Sequence, residues 1–206
     1  MGKTLRRLGR FSVGTGVAGA LVALSVLTAP AANAAPAFSN GSFEVPVVPA
    51  NTFRPVSAGQ PLGAWTVTRG NVDHIGAGFW PAADGTQSID LDGSIAPNLA
   101  GAVAQTFSTL PLTTYIVKFA LSGNPASGPV VKTGTASVNG TVLRSFSFDV
   151  SGITGLNLEY RQVKFSFLSL GTQATLEFAS TTGSGFGPVI DDVTVTPCLL
   201  VICLNA

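Results

Sequence analysis

Residues 136–143 read Ala-Ser-Val-Asn-Gly-Thr-Val-Leu, with Asn139-Gly140 between two short runs rich in Val, Thr and small residues. A two-residue hairpin turn of type I′ needs positive φ at both central positions, and Asn-Gly is the pair that adopts it most readily. The flanking runs suit a pleated, half-buried surface. This stretch therefore predicts an antiparallel β-hairpin.

Apolar residues recur at every second position in several other stretches of the chain. Tyr115, Val117, Phe119 and Leu121 fall on one parity, and Val142, Phe146 and Phe148 share another run, as do Val163, Phe165 and Phe167. Such alternation is typical of strands with one buried face, and no apolar pattern at helical spacing accompanies it. The sequence predicts an all-β jelly-roll β-sandwich. Ten strands are expected, at 65–69, 71–75, 87–91, 102–107, 114–121, 133–138, 141–149, 161–168, 174–179 and 189–195.

Composition limits the possible functions. Only 10% of the 206 residues are charged, and four of the 11 basic residues lie in the first ten positions, which leaves seven basic against 10 acidic side chains. That balance argues against nucleic acid as a partner. With one His and two Cys, most catalytic triads and multi-histidine metal sites are excluded. We expect no catalytic residues and no enzyme activity.

The first 34 residues have the layout of a secretory signal. Basic residues up to Arg10 precede an uncharged, mostly apolar run at 13–27, and Ala32-Asn33-Ala34 follows with the small-x-small pattern of a cleavage site. A membrane helix is the alternative, but the run is shorter than the roughly 20 residues that span a bilayer. We predict a signal peptide at 1–34, one domain at 35–197, a short tail at 198–206, and no membrane span in the mature chain.

Six sequence motifs follow one another in a fixed order: Asn40–Glu44, Trp65–Val67, Gly70–Asp73, Ala82–Leu91, Leu121–Pro125 and Gly187–Val193. Together they resemble the choice-of-anchor C family, which is related to the plant cell-wall proteins of domain of unknown function family 642. The resemblance implies a galactose-binding-like jelly roll, similar to carbohydrate-binding modules, on extracellular proteins associated with cell walls or surfaces.

Three carboxylates are candidate calcium ligands. Glu44 lies near the start of the fold, and Asp191 and Asp192 open the last strand, which in a jelly roll can lie beside the first. Because Asp191 shares its parity with Val193 and Val195, we expect it to point inward, where a cation such as structural Ca²⁺ would stabilise it. The alternative is that Asp191 accepts backbone N–H groups in a turn and Asp192 is solvated. Similar modules with an Asn-Gly-x-Phe-Glu start and an Asp-Asp-Val end often hold calcium there.

The Phe79-Trp80-Pro81 segment is the candidate ligand platform. It sits in a Gly-rich loop, and an aromatic ring there could stack on the apolar face of a sugar. Trp80 is the expected platform, and the alternative is that it plugs one open end of the sandwich. The expected polar partners are Asp73, His74, Asn98 and Gln105. The other acidic residues of this region, Asp84, Asp90 and Asp92, are expected to be solvated in loops.

Cys198 and Cys203 bracket an apolar segment beyond the last strand. In an oxidising compartment we predict a local disulfide between them, with pairing between chains as the alternative.

The resulting hypothesis is a secreted, non-catalytic protein of the cell wall or surface that binds extracellular polysaccharide. The competing hypothesis is a structural or protein-interaction module of the wall or matrix, with wall proteins as partners and no glycan ligand.

Overall fold

The computed structural model describes residues 1–2, 35–95, 97 and 100–198, and those from 35 onwards form an all-β fold. Residues 3–34 of the predicted signal peptide at 1–34, and the tail beyond Cys198, lie outside the described residues. Within the described part there is no α-helix, and so none long and apolar enough to cross a membrane. Twelve strands are present: β1 Phe53–Ser57, β2 Pro61–Leu62, β3 Trp65–Arg69, β4 Asn71–Ile75, β5 Ser88–Asp90, β6 Ala102–Ser108, β7 Thr113–Gly123, β8 Val131–Val138, β9 Thr141–Asp149, β10 Arg161–Ser169, β11 Gln173–Ser180 and β12 Pro188–Cys198.

The strands form two antiparallel sheets of six strands each. The first sheet has the order β1-β4-β5-β12-β7-β10, and the second has the order β2-β3-β6-β11-β8-β9. The predicted hairpin joins β8 to β9, with φ of 49° at Asn139 and 79° at Gly140. The jelly-roll β-sandwich expected from the sequence is confirmed.

The main core lies between the two sheets. The alternating residues Tyr115, Val117, Phe119 and Leu121 of β7 are all buried, as predicted. Trp65 of β3 is fully buried opposite them, and its indole N–H donates a 2.9 Å hydrogen bond to the carbonyl of Asn40. Burial of these large side chains, at about 25 cal/mol per Å² of apolar surface, is the main force that holds the two sheets together.

A second, smaller apolar cluster covers the outer face of the first sheet. Ile75 of β4 and Val189 of β12 are buried there with Trp80 and Leu158, which come from the loops at 76–87 and 150–160. The hydroxyl of Tyr160 donates to the carbonyl of Pro81 and links the two loops. These loops cover part of the outer face of the first sheet and bury the apolar side chains on it.

A β-bulge in β12 changes the direction of the acidic pair. Ile190 packs in the main core, the register shifts between Asp191 and Thr194, and Asp192 has a φ of 46°. Val193 returns to the main core after the bulge. The predicted parity is therefore wrong: Asp191 lies on the outer face with Val189, opposite to Val193, because the bulge inserts one residue.

Candidate functional site

A cavity of about 590 Å³ opens on the outer face of the first sheet, beside the second apolar cluster. Its floor comes from β4, and its walls come from loops that follow β4, β5, β7, β9 and β11. The volume falls in the range of small-molecule sites, and most of the lining is apolar. The side chains that give it chemical character are Phe53, Phe79, Trp80, Phe186, Asp73, Ser94 and Asn124.

The aromatic wall of the cavity consists of rings in edge-to-face contact. The ring of Phe79 lies 5.4 Å from that of Phe53 and 5.1 Å from that of Trp80, centroid to centroid. Trp80 is only 6% exposed, and its indole N–H donates a 2.9 Å hydrogen bond to the hydroxyl of Ser88. Phe79 is 37% exposed. Trp80 thus supports the wall from behind, and Phe79 is the ring that offers a free face to a ligand.

Asp73 supplies the carboxylate of the cavity. One of its oxygens accepts hydrogen bonds from the backbone N–H and the hydroxyl of Ser94, at 3.2 and 3.1 Å. Burial raises the pKa of Asp73 to about 6, against the opposing effect of the Ser94 hydrogen bonds. Among the described residues nothing donates to its second oxygen, which leaves that oxygen for a ligand hydroxyl.

Asp90 and Asp92 lie behind the cavity wall, and both are fully buried, so the expectation that they are solvated is wrong. Asp90 pairs with Asp73 in the β4–β5 register and accepts from the backbone N–H groups of Asp92 and Gly187 at 2.9 and 3.0 Å. Burial raises the pKa of Asp90 to about 8, and the nearby carboxylates of Asp73 and Asp92 add to the rise.

Asn124 connects this buried pair to the cavity. Its amide donates to the second oxygen of Asp90 at 2.7 Å, and its carbonyl oxygen accepts from the backbone N–H of Ala126 at 3.0 Å. The side chain is thereby held in one orientation at the cavity wall.

Lys132 is a buried cation that sequence reasoning missed. Its ammonium group donates a 2.7 Å hydrogen bond to the carbonyl of Ser127, and burial lowers its pKa, while the charges of Asp90 and Asp92 oppose that effect. The available signal was its place in β8, where it shares the parity of the core-facing Gly134 and Ala136.

The other expected partners of Trp80 are placed elsewhere. His74 faces the main core, with Nε2 2.7 Å from the carbonyl oxygen of Phe43, and burial lowers its pKa. Gln105 belongs to the second sheet and binds both the N–H and the carbonyl of Ser39. Asn98 lies outside the described residues. Of the predicted polar partners that the structure describes, Asp73 alone lines the cavity.

The three candidate calcium ligands do not converge. Asp191 accepts the backbone N–H groups of Ala83 and Asp84 at 2.7 and 3.0 Å, and burial raises its pKa to about 7. Glu44 accepts the N–H groups of Thr86 and Gln87, both at 2.8 Å, so the two carboxylates bind neighbouring residues in the last part of the loop at 76–87.

Asp192 points the other way and accepts from the Gln162 amide at 3.2 Å. Within the described residues no group of three acidic, His or Cys side chains is arranged to hold a metal ion. Backbone N–H groups donate to Asp191 and Glu44, and a side-chain amide donates to Asp192. Calcium binding stays a prediction of the sequence.

Cys198 is the last residue of β12, and Cys203 lies outside the described residues. The disulfide between them stays a prediction.

Fold and cavity together define a jelly-roll β-sandwich with a loop-lined cavity on its first sheet. The chain belongs to the DUF642 family of proteins of unknown function, whose match covers residues 36–196 and confirms the resemblance read from the motifs. A comparison with curated proteins finds no match.

Solved structures with similar architecture include several carbohydrate-binding modules. A family 35 module from Clostridium thermocellum is 12% identical, with a TM-score of 0.47 over 70% of this chain and 99% of that one. CBM35 from Paenibacillus barcinonensis is 21% identical, with a TM-score of 0.43 over 69% and 98%. TmCBM61, solved in complex with β-1,4-galactotriose, is 18% identical, with a TM-score of 0.45 over 79% and 98%.

Proposed function

We propose that this protein is a secreted, non-catalytic carbohydrate-binding module of the cell wall or cell surface, with its glycan ligand in the cavity beside Phe79. The observation that carries the proposal is the meeting of an exposed aromatic face with a carboxylate and an oriented amide in one cavity, at Phe79, Asp73 and Asn124. Aromatic rings pack on the C–H face of a sugar, while carboxylates and amides bind its hydroxyl groups.

The absence of catalysis is part of the proposal. Glycoside hydrolysis uses two carboxyl groups on either side of the scissile bond, about 5 to 9.5 Å apart. Among the described residues, Asp73 is the one carboxylate that lines the cavity. The next acidic group, Asp90, is fully buried and bound to two backbone N–H groups and the Asn124 amide, so it has no access to a substrate.

Two substitutions test the site. Phe79→Ala and Asp73→Asn are each expected to weaken glycan binding about tenfold, because each removes one of the two kinds of sugar contact. Since Phe79 is partly exposed, its loss should cost no more than about 1 kcal/mol of unfolding free energy. Titration calorimetry with a glycan selected on an array, together with thermal melting, measures both effects.

Asp73 gives the same experiment a pH signature. With a pKa of about 6, its carboxylate is an acceptor at pH 7.5 and mostly protonated at pH 5, so binding by the native protein should weaken on acidification. Asp73→Asn should remove that dependence. The matched control is Leu170→Ala, an exposed apolar residue in the β10–β11 loop, outside the cavity. Unchanged glycan affinity in both cavity variants would refute the site.

An exposed apolar patch supports a second candidate function, that of a protein-interaction module. Leu110 and Leu112 of the β6–β7 loop and Leu168 and Leu170 near the β10–β11 loop are between 56% and 78% exposed. Side chains of this kind often mark protein contacts. Capture of wall proteins that Leu112→Asp and Leu170→Asp abolish, without any glycan retention, would favour this function over the first.

Export from the cell is proposed from the signal-like segment at 1–34. If it is cleaved after Ala34, mass spectrometry of the protein recovered outside the cell should show Ala35, or a residue within a few positions of it, at the N-terminus. A recovered chain that still begins at Met1 would contradict this proposal.

A further inference from the structure

Two lysines face each other across neighbouring strands on the outer face of the first sheet. Lys118 of β7 and Lys164 of the edge strand β10 are direct partners in the antiparallel register, and both are exposed. Like charges in directly opposed positions destabilise a sheet. Among the described residues neither ammonium group forms an ion pair. The fold thus carries a local electrostatic cost that no direct ion pair offsets among the described residues.

These lysines line a groove of about 480 Å³, which we call the lysine groove, together with Gln162, Asp192 and Thr194. Ala120 lies opposite Gln162 in the register, so a small residue keeps the groove open between the strands. Asp192 is its one acidic group, and the Gln162 amide donates to that carboxylate at 3.2 Å. Two cations therefore face one partly satisfied anion.

A second groove, of about 660 Å³, adjoins the first and shares Gln162 with it. It contains Arg144 of β9 and Arg161 of β10. The Arg161 guanidinium lies 5.8 Å from the centroid of the Phe148 ring and donates to the carbonyl of Ser147, which holds it in place. The lysine groove and this arginine groove together form one cationic edge around β10.

The concentration of charge is unusual for this composition. Beyond the first ten residues the chain has only seven basic side chains against 10 acidic ones, and four of the seven surround β10. Arg161 and Lys164 lie on β10 itself, Lys118 lies on the neighbouring strand β7, and Arg144 lies on β9 of the other sheet. An anion bound between Lys118 and Lys164 would remove the repulsion between them.

We propose that this cationic edge binds the acidic groups of an anionic polysaccharide, at a site separate from the cavity. The inference rests on the proposed function, because it takes the ligand to be a glycan. Neighbouring strands lie about 4.8 Å apart, comparable to the length of one sugar residue, so Lys118 and Lys164 can meet successive carboxylates along a polymer. Gln162 and Thr194 supply amide and hydroxyl groups for the sugar hydroxyls. Duplex DNA, with its much denser charge, would need more cations than this edge offers.

The test compares polygalacturonate with its fully methyl-esterified form, since the two polymers differ in charge and share their backbone. At low salt, the purified protein is expected to bind polygalacturonate more tightly than it binds the methyl ester. The variant Lys118→Gln/Lys164→Gln should lose about tenfold in affinity for polygalacturonate and nothing for the ester. Its melting temperature should stay the same or rise, since the repulsion between the lysines is gone. Arg54→Gln, which removes a cation from β1 at the other edge of the same sheet, is the control and should keep the native affinity for polygalacturonate.

Equal affinity of the double variant and the native protein for polygalacturonate would overturn the inference, and so would equally tight binding of duplex DNA. If the protein binds the ester and does not prefer the acid, the inference fails and the proposed function stands. If the protein binds neither polymer and no glycan on an array, both fail together.

Discussion

Replacing Trp80 with alanine is expected to lower the free energy of unfolding by about 3 to 5 kcal/mol, the cost of removing a large buried aromatic side chain. Trp80 closes the second apolar cluster against Ile75 and Val189, and its indole N–H is bound to Ser88. With the ring gone, the loop at 76–87 loses its main anchor on the outer sheet face. Urea denaturation at neutral pH measures the change.

Trp80→Phe is the matched control. It keeps most of the apolar area and loses the hydrogen bond to Ser88, so about 1 to 2 kcal/mol is expected. If Trp80→Ala unfolds at the native urea concentration and loses glycan binding, Trp80 is an exposed platform in solution and the assignment of that role to Phe79 is wrong.

The protein is also expected to become less stable between pH 5 and pH 8.5, by a few kcal/mol. Asp90 has a pKa of about 8 in the fold, and Asp191 and Asp73 have pKa values of about 7 and 6, all above the ordinary value of 3.8. The folded state therefore holds protons that the unfolded chain has released, so each rise in pH through this range favours unfolding. The stability that these three protonated carboxyl groups contribute is fully present below about pH 4. It is lost once the pH passes their pKa values in the folded state.

Asp90→Asn tests the main source of this dependence. An amide mimics the neutral carboxyl, so the variant should be more stable than the native protein at pH 8.5 and should show a much shallower pH slope. Asp149→Asn, an exposed position at the end of β9, should keep the native slope. Unfolding free energies that rise from pH 5 to pH 8.5 in the native protein would show that Asp90 is ionised in the fold.

Local sequence patterns sufficed for most of the strands. Asn139-Gly140 determines its hairpin through backbone conformation alone, and the predicted bounds of β3, β4 and β9 match the structure. β1 and β2 were missed because both contain proline, Pro55 and Pro61, which removes a ladder hydrogen bond and weakens any strand signal, and β2 has only two residues.

The bulges were invisible for a different reason. A period-two pattern assumes an unbroken register, and one inserted residue reverses every later side chain. The shift near Leu143 leaves Val142 55% exposed although it shares the parity of the buried Phe146. The bulge at Asp192 likewise turned Asp191 to the outer face.

The site was predicted only in part for a third reason. Phe79, Trp80 and Asp73 could be singled out by residue type. Their burial, however, depends on two loops that fold over the first sheet. Asp90 has the local sequence of an ordinary solvated residue, and its burial comes with contacts to distant loop residues such as Asn124 and Gly187. Long-range packing of this kind leaves no periodic trace in the sequence.

The central claim is that the cavity beside Phe79 binds a carbohydrate. The most direct test is a titration of the isotope-labelled protein with the oligosaccharide that binds best on a glycan array, followed by backbone amide chemical shifts. The account predicts that the largest shifts fall on cavity residues contributed by separate loops, at Phe79, Ser94, Ala126 and Gly185. Saturable shifts confined to other surfaces, with these four amides unchanged, would contradict it.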